Sequence, residues 1–314
     1  MGDPASPRHL AALILAAACW GLGTVLSKQA VAEVSPFVLL PAQLAVSLAF
    51  LVVAARIGGQ QLRPEGGLLG RLGLLNPGLA YALSLVGLTQ ISASLSVLIW
   101  ASEPVLILLL AAAVLGERPG PALLALSGVA VGGLALVTYD PAATGGLVGI
   151  TLTVAGIVAC AIYTVVTRRW LPGAPSTLGV VVAQQSWALV FAVGLVVVAV
   201  ASGLARVPAG LTLAGLASIV VSGLLYYGLA YWLYLSGLRL VPASVAAVSF
   251  YLIPVFGVAA ATLVGERLAP VQWLGGLVVV VAVGLVTVRA AQAQPSSASA
   301  SAQIAATPSV SSRR

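Results

Sequence analysis

Glu103 lies near the middle of a long apolar run, residues 91–115. An acid at that depth in a lipid-embedded helix is disfavoured by about 2.5–3.5 kcal/mol, so it must face a partner or a wet cavity. A carboxylate held there can bind a cation or exchange a proton. Alternatively, a protonated Glu103 can satisfy backbone groups freed by Pro104, which has no N–H to donate. The residues alone leave both readings open. Aromatic side chains share these runs: Trp20, Tyr81, Trp100, Tyr163, Tyr227, Tyr231 and Tyr234. Tyr227, Tyr231 and Tyr234 are spaced i, i+4, i+7 and so share one helix face. Trp100, Tyr81 and Tyr227 are too deep for the interfacial belt, to which Tyr139, Trp170 and Trp273 are assigned. Deep aromatics suit a mostly apolar metabolite pocket, with core or lipid packing as the competing reading. The candidate substrate-binding residues are therefore Trp20, Tyr81, Trp100, Glu103, Tyr163, Tyr227 and Tyr231. Gln43, Asn76, Gln184 and Gln185 are polar groups inside the runs and must find partners; Asn76 precedes Pro77 and can cap a kink.

Several chemistries are excluded or disfavoured. The single histidine, His9, precedes the first run, so no histidine triad can form inside the bundle. Cys19 and Cys160 lie in apolar stretches, and two cysteines without an embedded histidine are too few for a zinc site. No catalytic residue, metal or cofactor is therefore expected, and an intramembrane enzyme lacks its cluster of acids or ligands. No GxxxxGK[ST] phosphate loop occurs, so an energised mechanism would be secondary.

The elements that position these residues follow from composition. Hydrophobic residues make up 61% and charged residues 7%, against about 25% charged in a soluble domain. Such a chain cannot cover its surface with polar groups, so its main solvent is lipid. A helical span needs about 20 apolar residues. Ten runs qualify: 10–27, 36–55, 72–88, 91–115, 121–139, 145–167, 178–201, 211–235, 240–264 and 271–288. Many are rich in Val and Gly, but in lipid only a helix satisfies its own backbone within one open segment. The net charge of +7 comes from isolated or paired arginines between runs, which is no footprint for nucleic acid. With the N-terminus inside, eleven basic residues fall in cytoplasmic segments and only Lys28, Arg206 and Arg267 fall outside. That bias puts both termini in the cytoplasm. Ala16-Ala17-Ala18-Cys19 has the outline of a lipoprotein cleavage box but lacks the leucine three residues before the cysteine, so the first span is read as intact. Residues 1–9 form a cytoplasmic N-terminus. The Ala/Ser-rich stretch 291–314 is read as a disordered cytoplasmic tail.

A repeat divides the spans. Gly78-Leu79-Ala80-Tyr81 recurs as Gly228-Leu229-Ala230-Tyr231, an offset of 150. At the same offset Gly87-Leu88 meets Gly237-Leu238, Ala93-Ser94 meets Ala243-Ser244, and Pro104 meets Pro254. Gly116-Glu117-Arg118 meets Gly265-Glu266-Arg267 one residue earlier. Thr24 to Lys28 resembles Thr164 to Arg168, and Ala42-Gln43 resembles Ala183-Gln184. The halves are 10–139 and 145–288, with five helices each. An odd number inverts the second half in the membrane, the arrangement that underlies alternating access. Pro104 and Pro254 are paired helix breaks, which in such repeats point to the substrate site. Position 253, the mate of Glu103, is isoleucine. Glu117 and Glu266 are read as interfacial anchors and gate-edge charges. The Gly128-x-x-x-Gly132 spacing permits close helix approach; packing within the bundle is its expected use, and a homodimer face is the other.

Trp20-Gly21, the stretch Ile91-Ser92-Ala93-Ser94 to Glu103-Pro104 and Gly116-Glu117-Arg118, and its echo Val241-Pro242-Ala243-Ser244, Pro254 and Gly265-Glu266-Arg267 resemble the EamA-type branch of the drug/metabolite transporter superfamily. The resemblance covers about residues 10–288. It implies an all-α integral membrane protein of ten transmembrane helices in two inverted five-helix repeats. It also implies a secondary transporter in the inner membrane that exports amino acids or related small metabolites. Its partners would be a small-molecule substrate and membrane lipid, with proton coupling and a homodimer as further possibilities and no nucleic acid. A passive channel or facilitator for small neutral solutes is the alternative. One departure stands out: Gln43 replaces an arginine common in the family, so that arginine's role does not carry over. If the topology is right, a C-terminal reporter active only in the periplasm will stay silent; activity would overturn both the orientation and the parity argument.

Overall fold

The computed structural model describes residues 7–59, 62, 67–88, 90–91, 99–100, 102–137, 146–263 and 269–292. Every regular element among them is helical, and the helices fall into ten segments. In the first half these are α1 (Pro7–Val31), α2 (Pro36–Ile57), α3, α4 and α5 (Pro121–Val137). Segment α3 joins Leu68–Arg71, a 3-10 turn Leu72–Leu74, a π-turn Leu75–Leu79 and Ala80–Leu88. Segment α4 runs from Glu103–Leu110 into a π-turn Ala111–Leu115. In the second half they are α6 (Leu147–Trp170), α7 (Thr177–Ala201), α8 (Leu213–Leu238), α9 and α10 (Pro270–Gln292). Segment α8 is interrupted by a π-turn, Gly223–Leu229; α9 joins Ala243–Val248, a 3-10 turn Ser249–Tyr251 and Leu252–Leu263. Six helices, α1, α2, α6, α7, α8 and α10, are each long and apolar enough to cross a bilayer. The chain is thus a multi-pass membrane protein. The stretch 293–314, read as a tail from sequence, lies outside the described residues.

Local chemistry sets several boundaries. Ser176 and Thr212 cap α7 and α8, their side chains accepting from Gly179 N–H (3.2 Å) and Gly215 N–H (3.0 Å). Pro36 opens α2, where a missing N–H costs nothing. Gly116, at φ 69°, ends α4 in the left-handed conformation that glycine adopts without strain. Cys19 sits inside a continuous α1.

The helices interleave across the halves. Helix α1 lies against α8 and α9, and α6 lies against α3 and α4. Helix α2 meets α7 and α8, and α7 meets α3; α5 meets α10, and α4 meets α9. Exchanging each helix for the one five places along leaves these neighbours unchanged, so the packing has a pseudo-two-fold relation.

Close approaches repeat the relation residue by residue. A Cβ on Gly73 would fall 1.7 Å from the Gln184 carbonyl oxygen, and one on Gly223 would fall 2.9 Å from the Gln43 carbonyl oxygen. Gly78 abuts the Phe191 ring and Gly228 the Phe50 ring. Gly87 meets Gly149 and Thr153, as Gly237 meets His9 and Leu13. Gly133 and Gly275 face each other's carbonyls. These pairs fix the offset at 150 for α3 and α8, 140 for α1 and α6, and 141 for α2 and α7. The repeated segment is also longer than the tetrapeptide: Gly73 to Tyr81 and Gly223 to Tyr231 differ only at positions 76/226 and 77/227. Both copies contain the π-turn.

The expectation for Gly128-x-x-x-Gly132 needs correction. Nothing lies within 4 Å of a Cβ at either position. Helix α5 approaches α10 through Gly133 instead, so among the described residues the spacing serves no contact within the bundle. We expect Gly73→Ala to destabilise the detergent-purified protein by about 1–3 kcal/mol, because its methyl would overlap backbone that cannot swing aside. Gly128→Ala, placed in open space, is expected to leave the thermal midpoint unchanged or raise it. Equal losses would refute the assigned crossings.

Candidate functional site

Each π-turn is joined by a side-chain hydrogen bond to the helical stretch that follows the other. Tyr81 on α3 and Tyr226 on α8 share a hydrogen bond of 3.0 Å between their hydroxyls. Tyr231 on α8 donates its hydroxyl to Asn76 Oδ1 on α3, at 3.2 Å. Tyr231 is the mate of Tyr81, and Asn76 the mate of Tyr226, so the two bonds form a cross-brace related by the pseudo-two-fold. The side chain of Asn76 is therefore a hydrogen-bond acceptor for the opposite half.

Aromatic rings continue from this brace. Tyr81 stacks near Trp100 at 6.1 Å and meets Tyr226 and Tyr227 edge-on at 5.8 and 6.0 Å. Tyr227 stacks near Tyr231 at 6.3 Å, as their i, i+4 spacing predicts. Trp20 meets Tyr231, Tyr234 and Phe250 edge-on at 5.5, 5.3 and 5.4 Å. The structure thus brings six of the seven candidates, Trp20, Tyr81, Trp100, Glu103, Tyr227 and Tyr231, to the zone where α1, α3, α4, α6, α8 and α9 converge.

Glu103 is buried in the first turn of Glu103–Leu110. Pro104 beside it lies where the missing N–H would have no helical acceptor. Pro254 likewise lies in the first turn of Leu252–Leu263, after a 3-10 turn. Both prolines therefore stand where an α-helical stretch starts afresh. The Glu103 carboxyl is close enough for its charge to act on Cys160, Tyr226 and Tyr234. No lysine or arginine of the chain lies in the middle of a described helix.

Tyr163 is placed differently. Fully buried on α6, it donates its hydroxyl to Gln184 Oε1 at 2.7 Å, and Gln184 Nε2 donates to the Leu69 carbonyl at 3.0 Å. This ties α6, α7 and α3 together, and Tyr163 also lies close enough to interact with Tyr231, Tyr234 and Cys160 of the site. The other embedded amides also tie helices. Gln43 Nε2 donates to Ser27 and Ser222 hydroxyls at 2.9 and 2.7 Å. Gln185 accepts from the Ser47 hydroxyl and donates to the Tyr227 carbonyl. Gln43 thus bridges α1, α2 and α8. Sequence reasoning missed Tyr226, Ser84 and Cys160 as neighbours of the site; the offsets of 150 and 140 would have marked them as mates of Asn76, Tyr234 and Trp20.

Charged groups gather at the bundle ends. Glu117 accepts from Ala243 N–H (2.8 Å), Ser244 N–H (2.9 Å) and the Ser244 hydroxyl, capping α9. Arg168 donates to the Val241 carbonyl (3.0 Å), and Arg239 to the Ala174 carbonyl (2.6 Å). At the opposite end Glu33 accepts from Thr212 N–H (2.9 Å) and its hydroxyl. These bonds hold the exposed Glu33 carboxyl below the usual carboxylate range. The tie is complete at neutral pH and is lost as acid protonates Glu33. Trp170 and Trp273 are exposed at 55% each near helix ends, as belt residues would be. Tyr139, Glu266 and Arg267 lie outside the described residues, and Cys19 and Cys160 are free thiols. Among the described residues no group of His, Cys, Asp and Glu could hold a metal.

Two comparisons bear on this architecture. Residues 8–139 and 147–288 each match the EamA-like transporter family. A crystal structure described only as that of a protein is 19% identical, with a TM-score of 0.76 over 90% of this chain and 99% of its own. That likeness concerns the fold alone. No curated protein matches the chain. The chain belongs to the EamA-like transporter family, in two copies of its repeat, and is a membrane transporter of small solutes.

Gln185→Leu removes the partner of two buried groups. We expect a loss of about 1–3 kcal/mol in stability, read as a lower thermal midpoint of the purified protein. An unchanged midpoint would show that the network is dispensable.

Proposed function

We propose that the chain is a secondary transporter that exports small metabolites, amino acids or related compounds, across the cytoplasmic membrane by alternating access. In this reading all ten helical segments span the membrane as two inverted five-helix repeats, with both termini in the cytoplasm. The observation that carries it is the two-fold equivalence of helix neighbours around the buried aromatic centre. Two similar halves related in this way can exchange inward-open and outward-open shapes around a fixed site. Glu117 and Arg168 would help close the cytoplasmic end and Glu33 the outer one.

Glu103 is the proton-coupling group in this reading. It is buried, carries a charge that can change, and stands at the helix break beside the aromatic centre. Glu103→Gln keeps the shape but cannot release a proton. The variant is expected to insert and fold normally and to lose gradient-driven uphill efflux, while downhill exchange at saturating substrate partly survives. Trp100→Ala, one turn away, is expected to weaken substrate binding without abolishing coupling. The measurement is uphill efflux from vesicles with and without a proton gradient. Wild-type rates and pH dependence in Glu103→Gln would reduce Glu103 to a structural partner of Pro104. Failure of the unaltered protein to move any solute uphill would favour a passive facilitator.

A further inference from the structure

The pseudo-two-fold generates two half-sites that should look alike and do not. One is built by Trp20 on α1, Tyr231 and Tyr234 on α8, and Phe250 and Ile253 on α9. Its mate, by the offsets of 140 and 150, is built by Cys160 on α6, Tyr81 and Ser84 on α3, and Trp100 and Glu103 on α4. The first half-site carries the larger side chains at two of these positions, while its Phe250 and Ile253 keep accessible surface. Trp20 is 5% exposed, Tyr231 2% and Tyr234 1%, and their rings touch. In the second, a thiol replaces the indole and a serine replaces the tyrosine. An indole and a phenol ring are absent there, while Trp100 is larger than its mate Phe250. Tyr81, Trp100 and Tyr226 keep accessible surface, whereas Asn76, the mate of Tyr226, is buried.

Each half-site holds one unanswered polar group, the Trp20 indole N–H in the first and the Ser84 hydroxyl in the second. The Ser84 hydroxyl is buried and has no partner among the described residues. Ser84 packs against α6, where a Cβ on Gly156 would fall 2.5 Å from its oxygen. Cys160 lies in the same cluster, with Ala80, Leu75 and Trp100 around it. Glu103 brings an ionisable carboxyl to this half-site alone, since its mate is Ile253. Aromatic faces and a carboxylate together favour a cation, through the ring quadrupoles and direct charge pairing. Among the described residues no basic side chain stands in the middle of a helix to receive a substrate carboxylate, and a buried unpaired carboxylate is strongly disfavoured.

We propose that the substrate occupies the half-site of Tyr81, Ser84, Trp100, Glu103, Cys160 and Tyr226, and that it is a small organic amine, protonated, with a flat apolar body and no carboxylate. This rests on the transporter reading and, within small metabolites, replaces amino acids with amines that lack a carboxylate. The amine sits at Glu103, the flat body lies between Tyr81 and Trp100, and Ser84 offers a hydrogen bond at the edge.

The test uses three compounds sharing one ring: 2-phenylethylamine, phenylalanine and phenylacetate. Their binding to the purified full chain is measured by calorimetry, and their movement is followed in vesicles containing it. 2-Phenylethylamine is expected to bind and move, and the other two to do neither. Glu103→Gln is expected to weaken amine binding about thirty-fold or more, the effect of removing one member of a buried charge pair. Cys160→Trp and Ser84→Tyr install the residues of the first half-site and are expected to abolish binding. Helix content and a monodisperse elution profile establish their folding. If either misfolds, Ser84→Ala, which removes only the hydroxyl, is expected to weaken binding measurably. Preference for phenylalanine or phenylacetate would overturn the substrate class. Unaltered amine binding in folded Cys160→Trp or Ser84→Tyr, or in Ser84→Ala where both misfold, would overturn the location. In either case uphill movement of any compound leaves the transporter reading standing. If none of the three binds, the amine proposal fails, and if no solute moves at all, the transporter reading fails with it.

Discussion

Backbone-to-backbone approach at glycine is the constraint on which the rest of this molecule depends. Lipid offers helices no hydrophobic reward for meeting, so they associate through close packing and polar contacts. Here α3 lies on α7 because Gly73 has no side chain over the Gln184 carbonyl, and α8 lies on α2 because Gly223 leaves the same room over Gln43. Each crossing sets the height of the π-turn that follows. The turns in turn decide which tyrosines face the axis, and the cross-brace of Tyr81–Tyr226 and Tyr231–Asn76 follows from that height.

The glutamines at these crossings have a double role. Their backbones lie against the glycines, and their side chains tie three helices each. Gln184 links Tyr163 to Leu69, and Gln43 links Ser27 to Ser222. The amides also hold the scaffold without charge, which leaves Glu103 as the isolated acid of the centre. A rigid, neutral frame around one ionisable group makes the state of that group matter to the whole bundle.

Much of this was legible in the residues. Apolar runs gave the ten helical segments, and the recurring Gly-Leu-Ala-Tyr gave the halves. Tyr227 and Tyr231 meet as their spacing implies. Other features were hidden for physical reasons. The depth of Tyr163 was readable from sequence, but the bond from its hydroxyl to Gln184 was not, because sequence does not give the direction of a hydroxyl. Gly128-x-x-x-Gly132 has the right spacing for a crossing, yet the face it lies on depends on the helix opposite, and Gly133 took that contact. Cys160 carried no signal until its mate, Trp20, was seen to fill space. The asymmetry of two half-sites can be stated only after the symmetry has been established.

The interleaving of the halves also bears on how the chain is made. Helix α1 leaves the ribosome first, yet its neighbours α8 and α9 are among the last to appear. More than 180 residues separate the end of α1 from the start of α8. At about 5–20 residues per second, α1 waits about 10–40 s in the membrane before its long-term partners exist. Until then its Trp20 face has only lipid to meet. The first half therefore cannot reach its final packing alone, and the bundle closes only once α8 and α9 have been made.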